Sequence, residues 1–207
     1  MKNDFNIEED DLQNCIQKSQ VREDDIKEKL FNKEDITVDL QKMEFEKCRF
    51  SNCRIAGSFE KIYFTDVVFE NCDLSGIKFV ESNFNKIEFK DCKVVGTIFE
   101  KCRINDVRAE NSNMNYAVFS SSNIKDLELD NIDLENSVFQ EVIWNKPSFS
   151  NASFIRTQFI DTSLMGIDFT DSFLEGIMIN EKDLRGAIIT PNQAVEISKI
   201  LGVVIKE

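Results

Sequence analysis

The chain has 207 residues, 42% of them hydrophobic, and a net charge of -13 from 38 acidic and 25 basic residues, with no histidine. Such acidity argues against binding nucleic acid through its phosphates, which needs a basic surface. Without histidine, the commonest general base and metal ligand is missing, so the chain is read as a non-enzyme with no cofactor, small-molecule substrate or metal site.

Met1 to Asp11 is acidic and has no apolar core, and no later run approaches the roughly 18 apolar residues of a membrane span. Neither a signal peptide nor a membrane segment is expected, and a cytoplasmic location is. Residues 1–39 carry 12 acidic and 6 basic groups. A faint five-residue beat (Ile16, Val21, Ile26, Phe31, Ile36) runs through them, but Asp24, Lys29 and Glu34 stand two residues before three of its members. Charges there would point into a core, so 1–39 is expected to be an irregular acidic cap, partly helical.

A clean beat starts at Leu40, Phe45, Phe50 and Ile55 and slips by one residue to Phe59, so a local irregularity is expected at Ala56 and Gly57. From Phe59 every fifth residue is apolar for twenty-seven consecutive positions, ending at Ile189. Two residues before each centre the chain is small or β-branched, apart from Leu127, Pro147 and Lys182, while the position two after is nearly always polar or glycine. Two positions in five therefore face inward and three outward. A period of five fits neither a helix nor a strand. It fits a chain that turns a corner every five residues, so that four pentapeptides close a square coil stacked about 4.8 Å from the next. A twenty-residue period is visible directly: Asn71, Asp91, Asn111, Asn131, Asn151 and Asp171 form one column. Ile98, Val118 and Val138 form another, expected to be a β-branched ladder on the outer surface.

These features resemble the pentapeptide-repeat family, whose consensus A(D/N)LXX is approached by Cys72-Asp73-Leu74-Ser75-Gly76 and Lys182-Asp183-Leu184-Arg185-Gly186. The resemblance covers residues 40–189. It implies an all-β fold, a right-handed quadrilateral β-helix of about 7 to 8 coils. Five of the six cysteines (Cys48, Cys53, Cys72, Cys92, Cys102) fall two residues before a centre, where they serve as small buried groups. Cys72 and Cys92 stack one coil apart, within disulfide reach, but their parallel direction and a reducing compartment argue against a bond.

After Ile189 the beat stops. Thr190 as N-cap, Pro191 at the first helical position and Gly202 as the stop predict a helix over about 191–201 within a terminal segment, 190–207. Val203-Val204-Ile205 is more apolar than capping requires. The Leu184 to Lys206 stretch is similar to the element that joins two tubes end to end in Qnr-type quinolone-resistance proteins. That resemblance implies a homodimer through Ile197, Leu201, Val203, Val204 and Ile205.

Charge is distributed unevenly. Residues 41–125 carry 12 acidic and 13 basic groups, whereas 126–183 carry 12 acidic and 3 basic. The second segment has roughly one net negative charge per 1.6 Å at about 4.8 Å per coil, against one per about 1.7 Å of duplex DNA. The Qnr resemblance implies a DNA-mimicking ligand of DNA gyrase or topoisomerase IV, with quinolone resistance as an outcome. The residues offered to that partner are Asp126, Asp130, Asp133, Glu135, Glu141, Asp161, Asp168, Asp171 and Glu175. The long loops that many Qnr proteins insert between coils are missing from this sequence. The alternative is a pentapeptide-repeat scaffold for an unrelated protein partner.

Overall fold

The computed structural model describes residues 7–22 and 24–205, with Arg22 and Leu201 described by backbone alone. Its body is a tube of parallel coils with four sides, named here by their apolar centres: side 1 at Phe59, side 2 at Phe64, side 3 at Phe69 and side 4 at Leu74. Side 1 is a sheet of eight strands, one per coil, and sides 2 and 3 merge into a 13-stranded sheet. From Phe59 onward every pairing joins residues twenty apart, as in Phe79↔Phe99 and Phe84↔Ile104.

The corners explain the period. Among the described residues, twenty-four non-glycine residues adopt left-handed φ between 47° and 61°, all of them two after a centre. That conformation turns the chain from one side of the coil to the next and is best tolerated by Asn, Asp and Gly. The Asn column adds side-chain amide bonds along the stack: Asn71 to Asn52 at 2.6 Å, Asn131 to Asn111 at 2.8 Å and Asn151 to Asn131 at 2.9 Å. Asp91 interrupts the ladder because a carboxylate has no amide proton to donate.

Inside, centre residues stack coil on coil. The rings of Phe99, Phe119 and Phe139 lie 4.8 Å apart and within 3° of parallel. One centre, Ala109, is too short for its column, and beside it lies an apolar cavity of about 30 Å³ lined by Phe89, Met114 and Leu129. The small inward residues satisfy backbone groups. Ser82 Oγ donates to the Phe59 carbonyl at 3.3 Å and accepts from Ile62 N–H at 3.1 Å, and Thr97 Oγ1 donates to Leu74 O at 2.8 Å. Thiols repeat the donation, so Cys, Ser and Thr interchange there for a hydrogen-bonding reason as well as for size.

The ends differ from the expectations. The tube starts at Ile26, not Leu40: Ile26 pairs with Phe45, Phe31 with Phe50 and Ile36 with Ile55. The charges that argued against a coil are accommodated because this coil is the last of the stack. Lys29 Nζ meets Asp10 at 3.1 Å and Glu8 at 3.2 Å, and Glu34 Oε1 accepts from Leu12 N–H. Helix α1 (Leu12–Arg22) then covers the opening with Leu12, Cys15 and Ile16 buried. Val21, also on the beat, is exposed.

The slip at Ile55 to Phe59 is a shortened corner, and it occurs twice, since Ile36 to Leu40 is shortened as well. The two short corners stack on each other. At Gly57, φ is 131° and a side-chain carbon would lie 1.9 Å from the Val38 carbonyl oxygen, so only glycine fits. At the other end the final coil is partly helical: α2 spans Glu181–Leu184, with Asp183 buried and Lys182 turned outward. Helix α3 (Pro191–Ser198) follows with Thr190 and Gln193 forming a capping box, continues as a 3-10 turn over Lys199–Leu201 and stops at Gly202 with φ 72°. Gln193 Nε2 also donates to the carbonyls of Phe169 and Ser172 at 2.7 Å, tying the helix to the tube.

Candidate functional site

With the centres buried, the outer positions of the last coils carry whatever chemistry the surface has. The twenty-residue period assigns each acidic candidate to a side. Asp130 and Asp168 lie on side 3, Asp171 on the corner between sides 3 and 4, and Asp133, Glu135 and Glu175 on side 4. These six therefore share two adjacent sides and their common corner. Glu141 and Asp161 sit on the corner between sides 1 and 2, diagonally opposite, and Asp126 on the corner between sides 2 and 3. The structure does not bring those three into the group.

Pairing thins the charge further. Glu135 meets Arg156 at 3.1 Å, Asp161 meets Lys182 at 2.8 Å and Asp126 meets Lys125 at 3.7 Å. Among the described residues, no cation lies within 4 Å of Asp130, Asp133, Asp168, Asp171 or Glu175. Asp168 accepts from the hydroxyl and backbone N–H of Thr170 at 2.7 and 2.9 Å, and these bonds hold its carboxyl below the usual range. Asp171 accepts from Ser150 Oγ at 3.3 Å.

The same end is apolar. Met165, Phe173, Met178 and Ile188 are exposed on four different sides, as are Val203, Val204 and Ile205 in the tail. Of the residues expected at a dimer contact, Ile197 is buried within its own chain and belongs to the cap. Leu201 lies outside the residues whose side chains are described. The side-chain exposure of Met165 and Phe173 was not legible from the beat, which marks centres and says nothing of apolar residues one step away. Ile98, Val118 and Val138 form a half-buried ladder on side 1.

Residues 38–97 and 88–147 match the family model described as a pentapeptide repeat region, and residues 132–171 match pentapeptide repeats in eight copies. The chain belongs to the pentapeptide-repeat family. Among solved structures, this pentapeptide-repeat protein is similar to trypsin-treated QnrB1, a plasmid-mediated fluoroquinolone resistance protein, with 16% identity, 84% of this chain and 99% of that chain covered, and a TM-score of 0.42. It is similar to HetL, involved in heterocyst differentiation regulation in the cyanobacterium Nostoc sp. strain PCC 7120, with 12% identity, 84% and 90% coverage and a TM-score of 0.42. Rfr23 from the cyanobacterium Cyanothece 51142 is 11% identical, with 65% and 100% coverage and a TM-score of 0.35. At such distances the likeness carries no functional argument. No curated protein sequence matches the chain. Among the described residues, no helix is long and apolar enough to cross a membrane.

Proposed function

We propose that this pentapeptide-repeat protein is a non-enzymatic protein ligand whose acidic end occupies the DNA-binding groove of a type II topoisomerase, DNA gyrase or topoisomerase IV, in place of DNA. One observation carries the reading: five carboxylates (Asp130, Asp133, Asp168, Asp171, Glu175) with no cation within 4 Å among the described residues lie on two adjacent sides of a stiff tube. A groove that binds duplex DNA presents fixed cations, and an equally stiff row of carboxylates meets them with little ordering cost. The exposed tail, Val203 to Ile205, would join two copies and double the acidic rod.

A supercoiling assay with purified gyrase, run with and without a quinolone, tests this. Inhibition or drug protection that weakens with salt is expected. Reversing Asp130, Asp133, Asp168 and Asp171 to Lys should remove it, and an unaltered effect in that variant overturns the electrostatic mechanism. A second reading, a scaffold for an unrelated protein, is favoured by Met165, Phe173, Met178 and Ile188, because a DNA groove has no use for exposed apolar side chains. Failure to bind either topoisomerase at low salt would leave that reading standing.

A further inference from the structure

Two residues before the centres of side 4, three successive coils carry Cys53, Cys72 and Cys92. The backbone holds them in register: Asp73 N–H donates to Cys53 O and Lys93 N–H to Cys72 O, both at 2.8 Å, and the bridges Arg54↔Asp73 and Asp73↔Lys93 continue the ladder. All three are buried and free. Their thiols point the same way, since Cys53, Cys72 and Cys92 donate to the carbonyls of Phe31, Phe50 and Phe69 at 3.3, 3.4 and 3.4 Å. Equivalent donations from stacked coils imply neighbouring sulfurs separated by about the coil spacing of 4.8 Å.

That spacing has a chemical meaning. A metal–thiolate bond is about 2.3 Å, so two of them end to end span about 4.6 Å. Three sulfurs on a line cannot converge on one point, and accordingly no cluster of three or more donors suited to a metal occurs among the described residues. A soft monovalent cation that takes two thiolates in a straight line needs only a facing pair. We propose that the Cys53, Cys72 and Cys92 column is a soft-metal ladder for Cu(I)-type monovalent cations, one held between Cys53 and Cys72 and one between Cys72 and Cys92. Cys72 is the shared ligand. Three thiol protons leave to solvent as two cations enter, so the buried wall takes on one net negative charge. A serine can make the same donation, as Ser82 does to the Phe59 carbonyl on side 2, so exchanging Cys72 for serine keeps the structural bond.

The test uses the full-length reduced protein and Ag(I), supplied as nitrate in chloride-free buffer. Native mass spectrometry should find two silver ions retained per chain, with a higher melting temperature than the metal-free protein. Retention should fall as the pH is lowered, because protons compete for the thiolates. Cys72→Ser divides both pairs and should retain none and lose the rise in melting temperature. Its own metal-free melt shows whether it has folded. Cys102→Ser, whose column neighbours are Ser82 and Ser122, should behave as wild type. No silver retained by the wild type, or wild-type retention by folded Cys72→Ser, overturns the proposal.

Discussion

At the N-terminal end, α1 lays Leu12, Cys15 and Ile16 over the first coil, and Lys29, at an inward position of the repeat, is met by Asp10 and Glu8. At the C-terminal end, α3 buries Ile197, yet Met165, Phe173, Met178 and Ile188 stay exposed and, among the described residues, five carboxylates have no cation within 4 Å. A stack of coils must end somewhere, and its last coil shows unpaired backbone and apolar centres to water. One end of this tube resolves that within the chain. The other keeps scattered exposed apolar side chains and a group of carboxylates on two adjacent sides, which is why the proposed function is placed there.

The largest expected effect lies on the closed half. Gly57→Ala drives a carbon into the Val38 carbonyl at a φ unsuited to alanine, and a loss on the order of 4 kcal/mol or failure to fold is expected in chemical denaturation. Phe31→Ala, in the coil that the sequence left outside the tube, should lower stability by about 3 to 5 kcal/mol, as Phe99→Ala would. Ile197→Ala at the open end should lose about 2 kcal/mol. If Phe31→Ala proved the milder of the two, the N-terminal coil would not be an integral part of the tube and the contrast between the ends would fail.

Thr190→Ala removes the cap of α3 and should lose about 1 kcal/mol, read as faster hydrogen exchange in α3 with α1 unchanged. Acid should separate the ends in the opposite sense. Lys29, by its hydrogen bond and charge, holds the Asp10 carboxyl below its ordinary value of 3.8. A depressed carboxyl contributes stability above that value and loses it as the pH falls through its folded value, so α1 should begin to exchange faster below pH 3.8. The capping box of α3, built from Thr190 and Gln193, has no titrating group and should keep its protection there. Smallest of all, Asp91→Asn would connect the Asn71 and Asn111 ladders and raise stability by about 0.5 kcal/mol.

Much of the tube was legible because burial repeats every five residues and tolerates few exceptions. The coil at Ile26 to Ile36 was not, because Lys29 and Glu34 break the inward pattern and their partners, Asp10 and the Leu12 N–H, come from a segment that only folding brings near. Lys182 misled in the same way: α2 turns it outward and buries Asp183 in its stead. For the acidic surface, the segment 126–183 was visible as a charge excess, but the grouping of Asp130, Asp133, Asp168, Asp171 and Glu175 required knowing which coil side each occupies.

By itself, then, the sequence determined the tube, its side-chain columns and the C-terminal helix, since each follows from local spacing and capping chemistry that repeats without reference to distant residues. Tertiary structure decided where the tube begins, which carboxylates share a side, which of them a cation neutralises and which thiols face one another. Those depend on contacts between residues nineteen to twenty-three apart, and a surface charge becomes a site only when its neighbours across the coils are fixed.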